Sequence, residues 1–252
     1  MASTTRVFRH APYTTISPTA QANDQTGRTV LITGAGRGIG YAIAQAYIQA
    51  NASQVILTGI RQETLDRAAL NLAGSSTETI IKSYVCDLNN ETSVEHLWQR
   101  LHSDQISVDV LVLNAADSAS GPANPVGPFL SKLRAAFNVN FFGNTSMAAR
   151  FLESFTAKID SAPKAIVNIS SFMAHSNPAP YQAAYSTSKA AFAHTLQLLA
   201  GEISTDECQI INVHPGAILT ESVKNAPKEM LDTVVWDEGK MSKPAASSRL
   251  CY

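Results

Sequence analysis

Tyr185 and Lys189 stand four residues apart in Tyr185-Ser186-Thr187-Ser188-Lys189, within a segment, Ala183 to Ile203, whose apolar spacing predicts a helix. On a helix, residues at i and i+4 share a face, which brings the ammonium near the phenol. A neighbouring cation favours phenolate and lowers a pKa that is otherwise about 10. A tyrosine tuned in this way can act as general acid or base at a carbonyl or alcohol oxygen. The pair alone is common on ordinary helix surfaces, so its surroundings decide its meaning. Tyr181, four residues earlier, has no lysine at i+4 and is set aside.

A second cluster of residues fits phosphate. The run Thr29 to Thr33 leads directly into Gly34-Ala35-Gly36-Arg37-Gly38-Ile39-Gly40 and then into a helical pattern. Glycine at a strand-to-helix turn adopts positive φ and lets backbone approach a pyrophosphate, whose charge is met by free N–H groups at the helix start. A glycine run is weak evidence by itself; the flanking strand and helix strengthen it.

These groups need a scaffold, and the remaining pattern supplies one. Strands are predicted at Thr29–Thr33, Gln54–Thr58, Ile80–Val85, Val108–Leu113, Ala165–Ser170 and Cys208–Val213, and helices at Ile39–Ala50, Glu63–Ala73, Ser93–His102, Leu130–Ile159 and Ala183–Ile203. Alternation of this kind predicts an α/β fold, a Rossmann-type doubly wound parallel sheet with helices on both faces and a single domain. Continuous apolar runs such as Val-Leu-Ile-Thr and Asp-Val-Leu-Val-Leu suit strands buried on both sides. Residues 1–27 are expected as a flexible extension, 28–235 as the dinucleotide-binding and catalytic domain, and 236–252 as an irregular tail.

The glycine spacing, Thr33-Gly-x-x-x-Gly-x-Gly, together with Tyr-x-x-x-Lys, resembles the short-chain dehydrogenase/reductase family. Five motifs occur in the family's order between Thr29 and Thr220. The resemblance implies hydride transfer between a nicotinamide and a substrate carbon, with Tyr185 passing the proton. It places a substrate-orienting serine at Ser171, with Ser170 as the alternative. It also matches Asn140, in Asn138-Val139-Asn140, to a helix asparagine that supports a water leading to Lys189. Both admit plainer readings, Asn140 as a satisfied polar residue within a long helix and Ser171 as a turn residue.

For the nucleotide, the resemblance implies contacts from Gly34, Gly36, Arg37, Gly38, Ile39, Gly40, Arg61, Asp87, Leu88, Asn114, Tyr185 and Lys189. Beyond the sixth strand, His214-Pro215-Gly216-Ala217-Ile218-Leu219-Thr220 resembles the segment that holds the nicotinamide, through Pro215, Gly216, Ile218 and Thr220. Relatives that take NAD carry an acid at the end of the second strand, whereas this chain has Thr58-Gly59-Ile60-Arg61. A 2′-phosphate pairs with guanidinium, so Arg37 and Arg61 favour NADP(H) over NAD(H), unless both are simply solvated. Asp87 matches an adenine-contacting aspartate and is equally suited to cap the next helix.

Composition narrows the function further. A net charge of -1 over 252 residues gives no electrostatic footprint for nucleic acid or an acidic membrane surface. Cys86, Cys208 and Cys251 are odd in number and lack ligand spacing, so reduced thiols in a cytoplasmic protein are expected, with no metal. No apolar run approaches the roughly 20 residues of a membrane span. Met1 to Asn23 is acid-free and carries Arg6 and Arg9, features shared by transit peptides and, more commonly, disordered polar extensions.

Two departures from the family stand out. Leu113-Asn114-Ala115-Ala116 replaces the usual Asn-Asn-Ala-Gly, leaving Asn114 as the central contact. After Ala217 only a short helical candidate, Pro227 to Val235, precedes the tail, which predicts an unpaired edge on the sixth strand and an incomplete substrate pocket. The expected function is an NADPH-dependent carbonyl reductase or alcohol dehydrogenase acting on a small to medium hydrophobic ketone, aldehyde or secondary alcohol. The alternative is a catalytically silent nucleotide-binding relative; an extended epimerase or dehydratase is disfavoured by glycine spacing and length. By analogy, a homodimer or homotetramer forms through the two long helices.

Overall fold

A computed structural model describes residues 13–74, 78–118, 121–124, 126–154, 163–175, 181–218 and 220. Strands β1 (Thr29–Thr33), β2 (Gln54–Gly59), β3 (Ile80–Val85), β4 (Val110–Leu113), β5 (Lys164–Ile169) and β6 (Cys208–Val213) form one sheet in the order β3-β2-β1-β4-β5-β6. Every pairing is parallel. The chain starts in the middle, winds outward through β2 and β3, then returns to lay β4 against β1. Between β1 and β4 the strand order reverses, and in such sheets the ligand crevice opens beyond the strand ends at that point.

Alternate residues of each inner strand face opposite layers. Val30, Ile32, Val55, Leu57, Val110 and Val112 pack with Ala44 and Ile48 of α1 (Gly38–Gln49) and Leu65 and Leu72 of α2 (Gln62–Ala73). Leu31, Ile56, Leu111 and Ile166 pack on the other side against α3 (Glu91–Ser103), α5 (Asn144–Glu153) and α6 (Ala183–Glu202), through Leu97, Phe151 and Phe192. Fully burying one such Val, Leu, Ile or Phe side chain is worth about 1.5–3 kcal/mol, so this two-sided burial is what holds the strands in place. Leu113, where an asparagine was expected, is only 1% exposed in this second layer. That departure from the family pattern is thus absorbed as core packing.

The helix expected from Leu130 to Ile159 is not continuous. It is α4 (Val126–Phe137), a π-helical turn (Asn138–Gly143) and α5, and residues 155–159 lie outside those described. Apolar periodicity cannot register the wider turn, which is a recurrent feature near functional sites. Within it, a β-carbon on Gly143 would sit 2.2 Å from the Leu88 carbonyl oxygen. The helix therefore meets the loop after β3 backbone to backbone. Gly143→Ala, which on an open helix would add up to about 1 kcal/mol of stability, is expected instead to cost about 1–3 kcal/mol, read from the midpoint of urea unfolding.

The N-terminal segment departs from the expected flexible extension from Tyr13 onward. It forms 310 turns at Thr14–Ile16 and Gln21–Asn23 and docks on the α1–β2 turn. Gln25 N–H donates to the Ala50 carbonyl (2.7 Å), Gly27 N–H to Ser53 Oγ (2.7 Å) and Asn51 Nδ2 to Asp24 (2.9 Å). Tethers of this kind are what order a terminus, and they join residues too far apart in sequence to be read as a local pattern. The expected helix at Pro227–Val235 and the tail 236–252 lie outside the described residues. Among the described residues, β6 is the last strand on its side, with Ile211 and Val213 exposed.

Candidate active site

Beyond the ends of β1, β2 and β4 lies a cleft of about 470 Å³. Its walls bring together Gly34, Gly36, Arg37, Gly38, Ile39, Arg61, Asp87, Leu88, Asn114 and Thr220, ten of the residues expected to hold nucleotide. Gly34 (φ 66°) and Gly38 (φ 59°) are in the left-handed region that glycine enters without penalty. Gly40 does not line the cleft. It sits behind the turn, where a β-carbon would be 2.4 Å from the Gly34 carbonyl oxygen, so its role is to let helix and turn touch. Pro215, Gly216, Ile218, Tyr185 and Lys189 are not part of the cleft's described walls.

Asn114 lines the cleft and also supports the glycine turn. Its Nδ2 donates to the Thr33 (2.8 Å) and Gly34 (3.3 Å) carbonyls, bracing the glycine turn from behind. Thr33 Oγ1 accepts the Asn114 (2.9 Å) and Ala115 (3.0 Å) N–H groups and closes the β1–β4 junction. Sequence reasoning gave Thr33 no role of its own. Asp87 takes no helix cap, for Asn90 caps α3 through the Ser93 N–H (3.4 Å). Instead the Asp87 carboxylate accepts the Asn89 N–H (2.9 Å) at the cleft wall.

Arg37 and Arg61 are exposed on the cleft rim, at the positions preceding α1 and α2. Among the described residues neither pairs with a carboxylate within 4.0 Å. Both guanidinium groups are therefore available to an anion entering the cleft.

The groups expected to handle the proton cluster between β5 and α6. Ser171 leads into the 310 turn Phe172–Ala174, where its Oγ accepts the Met173 N–H at 3.2 Å. With a lone pair so engaged, its proton is directed elsewhere, and its hydroxyl is hydrogen-bonded to that of Tyr185. Ser170, the alternative, is buried, and its hydroxyl has no partner among the described residues.

Tyr185 does not have the depressed pKa expected from a nearby lysine. Burial pushes the phenol above its ordinary value, and the Ser171 hydrogen bond pulls it only part of the way back. Lys189, 2% exposed, donates instead to the Ile169 carbonyl at 2.8 Å. Burial brings its own pKa down to about 8, so the ammonium still predominates at neutral pH.

Asn140 is fully buried, and its side chain is a clamp. Its Oδ1 accepts the Asp117 N–H (2.7 Å), while Nδ2 donates to the Asp117 carbonyl (2.8 Å) and to Ser188 Oγ (2.9 Å). Ser188 Oγ in turn donates to the Tyr185 carbonyl (2.8 Å), linking the cleft loop to the turn of α6 that carries Tyr185. Ser188 and Asn144, whose Nδ2 donates to the Val139 carbonyl (3.0 Å), were missed. The signal available for Ser188 was its place between Tyr185 and Lys189. Tyr181 is exposed, with φ 59°, and its carbonyl accepts the Gly121 N–H at 2.7 Å.

The family model for short chain dehydrogenase matches residues 28–231. The chain belongs to the short-chain dehydrogenase family. A short chain dehydrogenase/reductase from Aspergillus aculeatus, AacuD, is 28% identical over 237 residues, covering 93% of this chain and 78% of that protein. Among solved structures, a 7α-hydroxysteroid dehydrogenase complexed with NADH and 7-oxo glycochenodeoxycholic acid superimposes with a TM-score of 0.73 at 25% identity, covering 84% of this chain and 80% of the other. An RhlG/NADP complex from Pseudomonas aeruginosa gives 0.72 at 25% identity, covering 83% and 81%. As an oxidoreductase of this family the protein acts at CH–OH or C=O and takes a nicotinamide cofactor. The short-chain dehydrogenase contains no helix among its described residues long and apolar enough to cross a membrane, and no group of side chains there fit to hold a metal.

Proposed function

We propose that this short-chain dehydrogenase is an NADP(H)-dependent carbonyl reductase acting on a small to medium hydrophobic ketone or aldehyde. The observation that carries the reading is the Ser171–Tyr185 hydrogen bond with Lys189 on the next helical turn, which places a proton donor and an orienting hydroxyl together. The cleft fits the nucleotide: its floor is backbone in the left-handed conformation that glycine favours at Gly34 and Gly38, and its rim is cationic. Gly34, Gly36 and Gly38 would face the pyrophosphate, Arg37 and Arg61 the 2′-phosphate, Asp87 and Leu88 the adenine side, and Pro215, Gly216, Ile218 and Thr220 the nicotinamide. When bound, the nicotinamide supplies the hydride.

The protein's own contribution is to the oxygen. Ser171 orients the carbonyl by donating to it, and Tyr185, held protonated by burial, delivers the proton as charge develops. The Lys189 ammonium lends positive charge to that end of the helix, and Asn140 with Ser188 fixes the turn on which Tyr185 rides. A nicotinamide-binding relative without turnover is the competing reading. It draws on one observation, that Lys189 is engaged by Ile169 and not by the phenol. Turnover of NADPH with a panel of ketones and aldehydes separates the two, since tight NADPH binding with no oxidation on any carbonyl would favour the silent form.

Nucleotide choice has its own test. Charge-assisted hydrogen bonds contribute about 1.5–3 kcal/mol each, so Arg37→Ala and Arg61→Ala are each expected to weaken NADPH about tenfold or more and leave NADH within about threefold. Fluorescence titration reads both, and equal wild-type affinity for the two nucleotides would remove the NADP assignment. Exposed Leu130 on α4, Phe142 on the π turn and Leu198 on α6 support pairing of chains through these helices as a homodimer or homotetramer. The free, buried thiols Cys86 and Cys208 suit a reducing cytoplasm.

A further inference from the structure

His214 follows β6 and immediately precedes Pro215 and Gly216. Its ring turns back onto the Phe172–Ala174 turn: Nδ1 accepts the Phe172 N–H at 3.0 Å, and the two rings lie 6.0 Å apart, centroid to centroid, tilted by 41°. Phe172 is the residue after Ser171, and the same short turn is capped by the Ser171 hydroxyl. One hydrogen bond therefore joins the segment after β6 to the backbone that presents the serine. The chemistry of that bond is conditional. An imidazole nitrogen accepts an N–H only while it carries no proton, and in the imidazolium both ring nitrogens are donors.

We infer, resting on the reductase reading above, that His214 is a positioning residue that holds the aim of Ser171, and that protonation of its ring releases the turn and switches the reaction off in acid. On protonation, two N–H donors would face one another across 3.0 Å. The Phe172 N–H would lose its protein acceptor and be left to solvent, while the turn keeps only its own bonds, from Ala174 N–H to the Ser171 carbonyl and from His175 N–H to the Phe172 carbonyl. Among the described residues, the titratable group whose charge reaches His214 is His175, at the end of the same turn. His214 lies at the surface, where the partial shielding of its ring first, and the His175 charge second, hold its pKa below its ordinary value. The sign follows: the ring is neutral and the bond intact at neutral pH, and the bond is lost only as pH falls through that depressed value.

Two variants separate the acceptor from the titration. His214→Asn keeps an acceptor, Oδ1, the same number of bonds from the backbone as Nδ1, and cannot protonate in this range; His214→Leu removes the acceptor. In 15N-labelled wild-type protein taken from about pH 7.5 to about pH 4, through and below the range where an unperturbed histidine titrates, the Phe172 amide resonance is expected to move with one transition. kcat is expected to fall with the same midpoint by at least about tenfold, since misplacing a reacting group by about 1 Å costs up to about 100-fold. His214→Asn should keep neutral-pH kcat within about threefold and lose the acid limb, whereas His214→Leu should lower kcat about tenfold at pH 7.5 with nucleotide Kd unchanged. A Phe172 amide that does not titrate in the wild type, or an acid limb that persists in His214→Asn, overturns the inference. A wild type that reduces no carbonyl sinks the reductase reading instead, and the Phe172 titration then decides the latch by itself.

Discussion

Tyr185→Phe is expected to lower kcat for carbonyl reduction by about 10²–10⁴-fold, the usual contribution of a positioned general acid. The phenol loses only its hydroxyl, and the ring still fills its place in the first turn of α6, so fold and nucleotide affinity should stay near the wild type. Nucleotide Kd within about twofold, beside a collapsed kcat, would mark an interaction made only in the transition state. Burial raises the Tyr185 pKa, so the acid form is present throughout the neutral range, and the reductive rate should fall first as the Lys189 ammonium is lost near pH 8 and again as pH rises through the raised tyrosine value. Single-turnover kinetics with saturating NADPH, run from neutral to strongly alkaline pH, check both points. Retention of most of the wild-type rate in the variant would assign the proton to another group, Ser171 being the neighbour able to give it.

Gly40→Ala is expected to damage both the fold and nucleotide binding. Its new methyl would lie 2.4 Å from the Gly34 carbonyl oxygen and 2.6 Å from Asn114 Nδ2, and neither can retreat freely. Asn114 Nδ2 is already bonded to the Thr33 and Gly34 carbonyls, so the collision pushes the whole turn off its brace. Overpacking of this kind costs about 1–3 kcal/mol of stability. Opening the turn also moves the backbone N–H groups meant for phosphate. Losing one charge-assisted bond, about 1.5–3 kcal/mol, weakens NADPH at least about tenfold. Gly201→Ala is the control. It lies in α6 with nothing within 4 Å of the added β-carbon, and it should leave binding unchanged while adding up to about 1 kcal/mol of helix stability. Thermal unfolding with and without NADPH distinguishes the two effects, and a Gly40→Ala protein that melts and binds as the wild type does would exclude the close helix–turn contact.

Much of the architecture was legible because it is written in local patterns. β1, β3 and β6 have the boundaries read from their apolar runs, and the glycine turn stands where strand met helix. The cleft gathers most of the residues the family resemblance nominated for nucleotide. The misreadings share a cause. The π turn at Asn138–Gly143 inserts backbone geometry to which apolar spacing is blind, and the docking of residues 13–27 depends on partners near residue 50. Asn140 shows the limit most plainly: its type and position were found, but the bonds from its side chain to Asp117 and Ser188 connect segments 23 and 48 residues away.

The sequence by itself determined the order of strands and helices, the glycines that permit a phosphate turn, and the pairing of Tyr185 with Lys189 on one helix, because each depends on neighbours within a few residues. Only the tertiary structure decided how those groups are tuned. Lys189 bonds to Ile169 across the layer, Tyr185 takes its partner from Ser171, and Phe172 hangs on His214 from the far end of β6. Protonation states depend on burial and on the nearest dipoles, and those are properties of the packed sheet and helices rather than of any stretch of chain.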